Sequence, residues 1–248
     1  MTNATPLGWI GDTYEVHCLV LARCVTGREL LRRLGGSSGD MFVPQDEDEA
    51  NQFLWAGMED YWSWGAARVG EAGSWGFSLE PASIWGSNSA RLEQASRGTQ
   101  AMCCFTADGT EFVEYWRDGV LVTGVNTAAP NERTRKGGAD PDFLVEQMER
   151  VGLLGVGGRA HRPGLALLHE VTGVALDLER TTLALAGKLP AEGFGPEKAT
   201  ADKNAPGAAA PTGAGGMGGA VGGPVGEPPV PRAAGAAKTS GGGGLAGS

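Results

Sequence analysis

Two Asp-Gly pairs, Asp108-Gly109 and Asp118-Gly119, punctuate three short runs rich in β-branched, aromatic and apolar residues. Asp-Gly suits the two-residue hairpin turn, whose two central positions both need positive φ. The pairs therefore predict antiparallel strands over 99–105, 111–117 and 120–125, joined as a meander, with the second turn the sharper signal. That commits part of the chain to an antiparallel sheet.

Other segments extend the pattern. The run YEVHCLVLARCV (14–25) reads as a strand, largely buried between Leu19 and Ala22. Thr26-Gly27-Arg28-Glu29 reads as a capping box, opening a helix that buries Leu30, Leu31 and Leu34 and ends at Gly35-Gly36. A second helix starts among Asp46, Glu47, Asp48 and Glu49, whose charges suit the positive end of the helix dipole. Strands follow over 66–70 and 74–79. In the latter, Trp75, Phe77 and Leu79 alternate with Gly76, Ser78 and Glu80, which places Trp75 in the core. Pro81 ends that strand, and Ser87 or Asn88 can cap the helix 91–97, leaving Trp85 in the connecting loop.

Beyond the meander, Asp140-Pro141 reads as a helix start burying Leu144, Met148 and Val151. A further helix runs from Pro163 to Gly173, and Asp177 caps one more short element reaching Leu185. Strands interrupted by short helices, then helices alone, predict an α+β fold: an antiparallel sheet of about six strands with short helices packed on one face.

The segment 199–248 holds much of the glycine and proline and no aromatic residue. It cannot bury enough apolar surface to offset roughly 1–2 kcal/mol of backbone entropy per residue, so it is expected to be a disordered tail. The division expected is a single globular domain over 1–198 and a Gly/Ala/Pro-rich tail over 199–248. Setting aside Asp202, Glu227, Lys203, Arg232 and Lys238 of the tail leaves 27 acids and 17 bases in the body. An acidic body repels phosphate, which argues against nucleic acid as a partner. The N-terminal stretch has neither a basic nor an apolar leader region and no apolar run approaches a membrane span, so a cytoplasmic protein without membrane attachment is expected.

The segments VHCLVLARCVTGRELLRRLGG, AARVGEAGSWGFSLE, FVEYWRDGVLVTGVN, ADPDFLVEQMERVGL and LALLHEVTGVALD, in that order, resemble an actinobacterial (Streptomyces-type) family of uncharacterised proteins, a domain of unknown function (6461 type). The resemblance covers about residues 14–185. Its motifs are caps, hairpin turns and a Gly-Trp strand, so it implies a lineage and brings no catalytic residues.

No chemistry-bearing motif is complete. Gly35-Gly36-Ser37-Ser38-Gly39 matches G-x-S-x-G, but it follows a helix rather than a strand. Gly155-Val156-Gly157 also follows a helix and completes no phosphate-binding fingerprint. Cys18, Cys24, Cys103 and Cys104 form no CxxC pair, and neighbours Cys103 and Cys104 point to opposite faces of a strand. His17 could meet another ligand only through tertiary folding. Cys24, just before a helix start, is the one candidate reactive thiol. The stretch 165–185 resembles a helix-turn-helix, but His169 and Glu179 occupy positions that need small or apolar residues. The sequence thus supports no catalytic residue, cofactor or metal.

What remains is aromatic. Tyr61, Trp62, Trp64, Trp85 and Trp116 are the candidate binding residues. In a strand, Trp62 and Trp64 would share one face and Tyr61 the other, so unless both faces are covered at least one is exposed beside the acidic helix. The leading expectation is a non-catalytic cytoplasmic module that binds another protein. The alternative is an enzyme or small-ligand-binding protein with a pocket lined by those five aromatics; a concave pocket would favour it and a flat exposed patch the first.

Overall fold

The computed structural model describes residues 6–131, 138–155 and 158–191, and strand β1 (Cys18–Arg23) lies at the centre of its sheet. Leu19 and Leu21 enter one hydrophobic cluster while Cys18, Val20 and Ala22 enter another. A continuous apolar run is what a strand covered on both faces requires. The seven strands are ordered β6 (Val120–Asn126), β5 (Thr110–Arg117), β4 (Gln100–Ala107), β1, β3 (Trp75–Glu80), β2 (Trp64–Ala72) and β7 (Leu185–Pro190), and every neighbouring pair is antiparallel. The chain is α+β, as expected, but its helices cover both faces of the sheet rather than one.

On the first face, α1 (Gly8–Thr13), α5 (Val145–Arg150) and α6 (Pro163–Thr172) bring Ile10, Met148, Leu165, Leu167 and Leu168 into the cluster of Leu19, Leu21, Trp75, Phe77 and Met102. Trp75 is buried there, on β3 (Trp75–Glu80), as its alternation predicts. On the second face, α2 (Gly27–Arg33) and α4 (Ser89–Ser96) bring Leu30, Leu31, Leu92 and Ala95 together with Val20, Ala67, Ala101 and Trp116. Each fully buried leucine contributes about 1.5–3 kcal/mol.

The meander forms as read, from β4 (Gln100–Ala107), β5 (Thr110–Arg117) and β6 (Val120–Asn126). Both turns have positive φ at both positions: Asp108 50°, Gly109 71°, Asp118 48° and Gly119 78°. The strand 66–70 is longer than expected, as β2 (Trp64–Ala72), and a seventh strand, β7 (Leu185–Pro190), pairs with it at the edge of the sheet. Lys188 and Pro190 are residues an edge strand tolerates.

Local signals are met unevenly. The Thr26 hydroxyl accepts from Glu29 N at 3.2 Å, but the Glu29 carboxylate turns to Arg32 and Arg33, at 2.7 and 2.9 Å, so only half of the capping box forms. Asn88 caps α4, and Asp177 caps α7 (Leu178–Thr182). Asp140 caps no helix: its N–H donates to Val122 O, and α5 begins only at Val145 without a side-chain cap. α6 starts on Pro163 and stops at Gly173, whose φ is 69°.

The described residues fall within the unit Met1–Ala201; the unit Asp202–Ser248, and with it the expected disorder of 199–248, lies outside them. Among the described residues no helix is long and apolar enough to cross a membrane.

Candidate functional site

The aromatic candidates gather where α3 (Glu47–Glu59) meets the start of β2. Asp46 caps α3 by accepting from Glu49 N at 2.9 Å, and Glu49 accepts from Gln45 N at 2.6 Å. Only Ala50 and Gly57 of α3 are buried. Inward, Phe53 meets Trp64 with ring centroids 5.1 Å apart, and the Lys188 ammonium stands 4.3 Å from the Trp64 ring. Outward, Trp55 is 60% and Met58 44% exposed; three residues apart, they share one helical face.

Tyr61, Trp62 and Ser63 are not strand but a turn, because Ser63 N and Trp64 N both bond Asp60 O. The turn holds Trp62 59% exposed and sets Tyr61 against it at 5.4 Å between centroids. Tyr61 also meets Trp85 at 5.3 Å. Trp85 is half-buried, and its Nε1 is enclosed without an acceptor. It can lie close over the sheet because residue 65 is glycine: a Cβ there would stand 2.8 Å from Trp85 Cδ1 and 2.2 Å from Ser83 Oγ.

Glu80 fixes that loop. Its fully buried carboxylate accepts from Ser83 Oγ at 2.5 Å, Trp85 N at 2.9 Å and Gly86 N at 2.7 Å. Burial raises its pKa, opposed by those donors and the charge of nearby Arg91. Arg91 itself donates to Pro190 O at the end of β7.

Three of the five predicted residues, Tyr61, Trp62 and Trp85, thus touch in a chain, and Trp64 lies beside them under α3. Trp116 does not join them. It is buried on β5, four strand spacings from β2, roughly 19 Å across the sheet. Its Nε1 donates to Glu114 Oε2 at 2.9 Å. Trp55 and Met58 were missed by sequence reading, though their three-residue spacing outside the apolar stripe of α3 was a usable signal. A shallow dimple lined by Leu54, Gly57, Met58, Gly65, Ala66, Ala82 and Ser83 encloses no room even for a water molecule, whereas small-molecule sites hold roughly 300–1,000 Å³.

A second group was invisible to spacing. His17, Cys104 and Glu111 are all buried, and one possible ligand atom from each lies within 4.8 Å of the others. Burial lowers the His17 pKa to about 4, and raises those of Cys104 and Glu111. Cys103, facing the other way, sits with its sulfur 3.6 Å from that of Cys18, and all four cysteines are free. Cys24 is exposed, in a left-handed conformation with φ 55°.

Comparison with curated proteins and with solved structures finds no match to this chain. A family profile does match, over residues 7–189, which is most of the chain and runs from before α1 into β7. The chain belongs to a family of unknown function (DUF6461).

Proposed function

We propose that this chain is a non-catalytic, cytoplasmic protein-interaction module whose binding face is the outer side of α3 with the turn carrying Tyr61 and Trp62. The observation that carries the reading is the exposure of Trp55, Met58 and Trp62 along successive turns, beside exposed Glu47, Asp48, Glu59 and Asp60. Large aromatics ringed by charge are the anchors and rim of protein interfaces. Exposing them to water without a partner is costly in solubility, which favours a role for them. The acidic rim suits a protein partner presenting an apolar patch edged with lysine or arginine, and suits nucleic acid poorly.

The remoteness of Trp116 gives less support to an enzyme or small-ligand site lined by Tyr61, Trp62, Trp64, Trp85 and Trp116. The four free cysteines suit a reducing, cytoplasmic compartment. An actinobacterial lineage rests on the sequence resemblance given above. The reading is tested by purifying tagged wild-type chain and its Trp55→Ala and Trp62→Ala variants from the native cell in parallel. A protein held by the wild type and lost from both variants is the expected result; identical recoveries would refute the proposed face.

A further inference from the structure

Thr106 of β4 stands opposite Glu111 of β5, and Cys104 is two residues before Thr106, so all three project from the same face of the sheet. His17, just before β1, is bonded to this edge: Thr106 N donates to His17 O at 3.0 Å, and His17 N donates to Thr106 Oγ1 at 3.1 Å. Its Nδ1 stands 3.1 Å from Tyr14 O and 3.0 Å from Thr106 Oγ1. A proton on Nδ1 serves Tyr14 O, which leaves the lone pair on Nε2, and that atom is buried without a partner.

Glu111 is in a matching condition. Its Oε2 accepts from Gly164 N at 2.7 Å, and its Oε1 is buried without a partner. Gly164 is the second residue of the ten-residue α6, so Glu111 also satisfies a helix N-terminal donor. A Cβ at residue 164 would lie 3.0 Å from Cys104 Sγ and 2.9 Å from Glu111 Cβ, so only glycine lets the helix end approach this closely. Two orphaned acceptors and a thiol thus belong to three buried side chains whose possible ligand atoms come within 4.8 Å of one another.

We infer that His17, Cys104 and Glu111 bind one divalent transition-metal ion, zinc by its ligand chemistry, through His17 Nε2, Cys104 Sγ and Glu111 Oε1. Nitrogen, thiolate and carboxylate are a zinc ligand set, with water free to take the fourth tetrahedral position. Zinc bonds of about 2.0–2.3 Å place neighbouring ligand atoms about 3.3–3.8 Å apart, so side-chain shifts of about 1 Å close the observed spacing. A dication with one thiolate and one carboxylate is neutral, as burial demands, and the protons the ligands lose go to solvent. The surroundings match those of metal-bound histidine and carboxylate: the second ring nitrogen faces a backbone carbonyl, and the second carboxylate oxygen holds a backbone N–H. Such an ion would tie the start of β1, the β4–β5 hairpin and α6 together.

The test is titration of the chelator-treated full chain with Co²⁺ and then Zn²⁺. The expected result is one Co²⁺ per chain with a thiolate-to-cobalt charge-transfer band and the visible bands of a tetrahedral site, displaced by Zn²⁺, together with a higher melting temperature in zinc. Cys104→Ala should abolish the charge-transfer band, whereas Cys24→Ser should keep it. Glu111→Gln, which still accepts from Gly164, should weaken affinity at least about tenfold while the chain stays folded. A folded wild-type chain without the band, or a band that survives Cys104→Ala or vanishes in Cys24→Ser, overturns the assignment. If Cys104→Ala does not fold, Glu111→Gln decides, and unchanged affinity there overturns it equally.

Discussion

Tyr61 and Trp85 meet with ring centroids 5.3 Å apart, which joins the turn before β2 to the loop after β3. Neither partner is held by the contact alone. The Asp60 carbonyl shapes the turn around Tyr61, and Glu80 anchors the loop of Trp85 through two backbone N–H groups and a serine hydroxyl. The exposed aromatic face thus rests on a buried carboxylate.

Glu80→Ala should therefore destabilise the chain by about 3–5 kcal/mol, the cost of leaving three buried donors without their acceptor, at roughly 1–3 kcal/mol for each. Chemical denaturation of wild type and variant measures it. A loss below about 1 kcal/mol would mean that water replaces the carboxylate and that the loop does not depend on it.

Trp75→Ala should cost about 3–5 kcal/mol, as truncations of large buried aromatics do, with no effect on partner binding beyond that lost stability. Trp64 differs from Trp62 in the same sense. Packed against Phe53 and Lys188, it should register on mutation to alanine first as lost stability, in the melting temperature, whereas Trp62→Ala should leave the melting temperature unchanged.

At the second meander turn Gly119 has φ 78°, so Gly119→Ala should cost about 1–2 kcal/mol, the penalty of a left-handed conformation for an L residue with a Cβ. Equilibrium unfolding of the variant reads this directly, and an unchanged midpoint would contradict the type of turn described.

The Glu29 pKa is lowered to about 2 by its hydrogen bonds with Arg32 and then Arg33. A depressed carboxylate pKa adds stability above the usual value of 4.5, and that stability is lost as pH falls from there towards 2. Glu29 is about one-third exposed and Arg32 more than half, so screening keeps the contribution within about 1 kcal/mol. Wild type and Glu29→Gln should differ slightly at neutral pH in low salt and converge by about pH 2. A gap that persists at that pH would contradict the ion-pair origin.

The parts of the fold legible in the sequence are those decided locally. Two Asp-Gly turns specify the meander, Thr26 and Asn88 open helices beside the residues they cap, and the alternation of Trp75, Phe77 and Leu79 marks a buried face. The strand β7 was not legible because LAGKLP carries glycine and proline and gains its identity from β2 and a bridge to Phe42, both more than a hundred residues earlier. The run CLVLA did carry the signal for helices on both faces, since Leu19 and Val20 cannot both be buried by one layer. Tyr61-Trp62-Ser63-Trp64 read as strand because aromatic residues favour one, yet the Asp60 carbonyl captures the next amides and makes a turn. His17 is 87 residues from Cys104, so only the β1–β4 pairing brings them together.

The most direct measurement is the affinity of the purified partner for wild-type chain and for Trp62→Ala, taken by calorimetry alongside their melting temperatures. An anchor at the centre of an interface is worth at least about 2 kcal/mol, or roughly thirtyfold in Kd. The expected result is that loss with an unchanged melting temperature. Equal affinity, or a variant that binds weakly only because it has unfolded, would contradict an interface built on this turn.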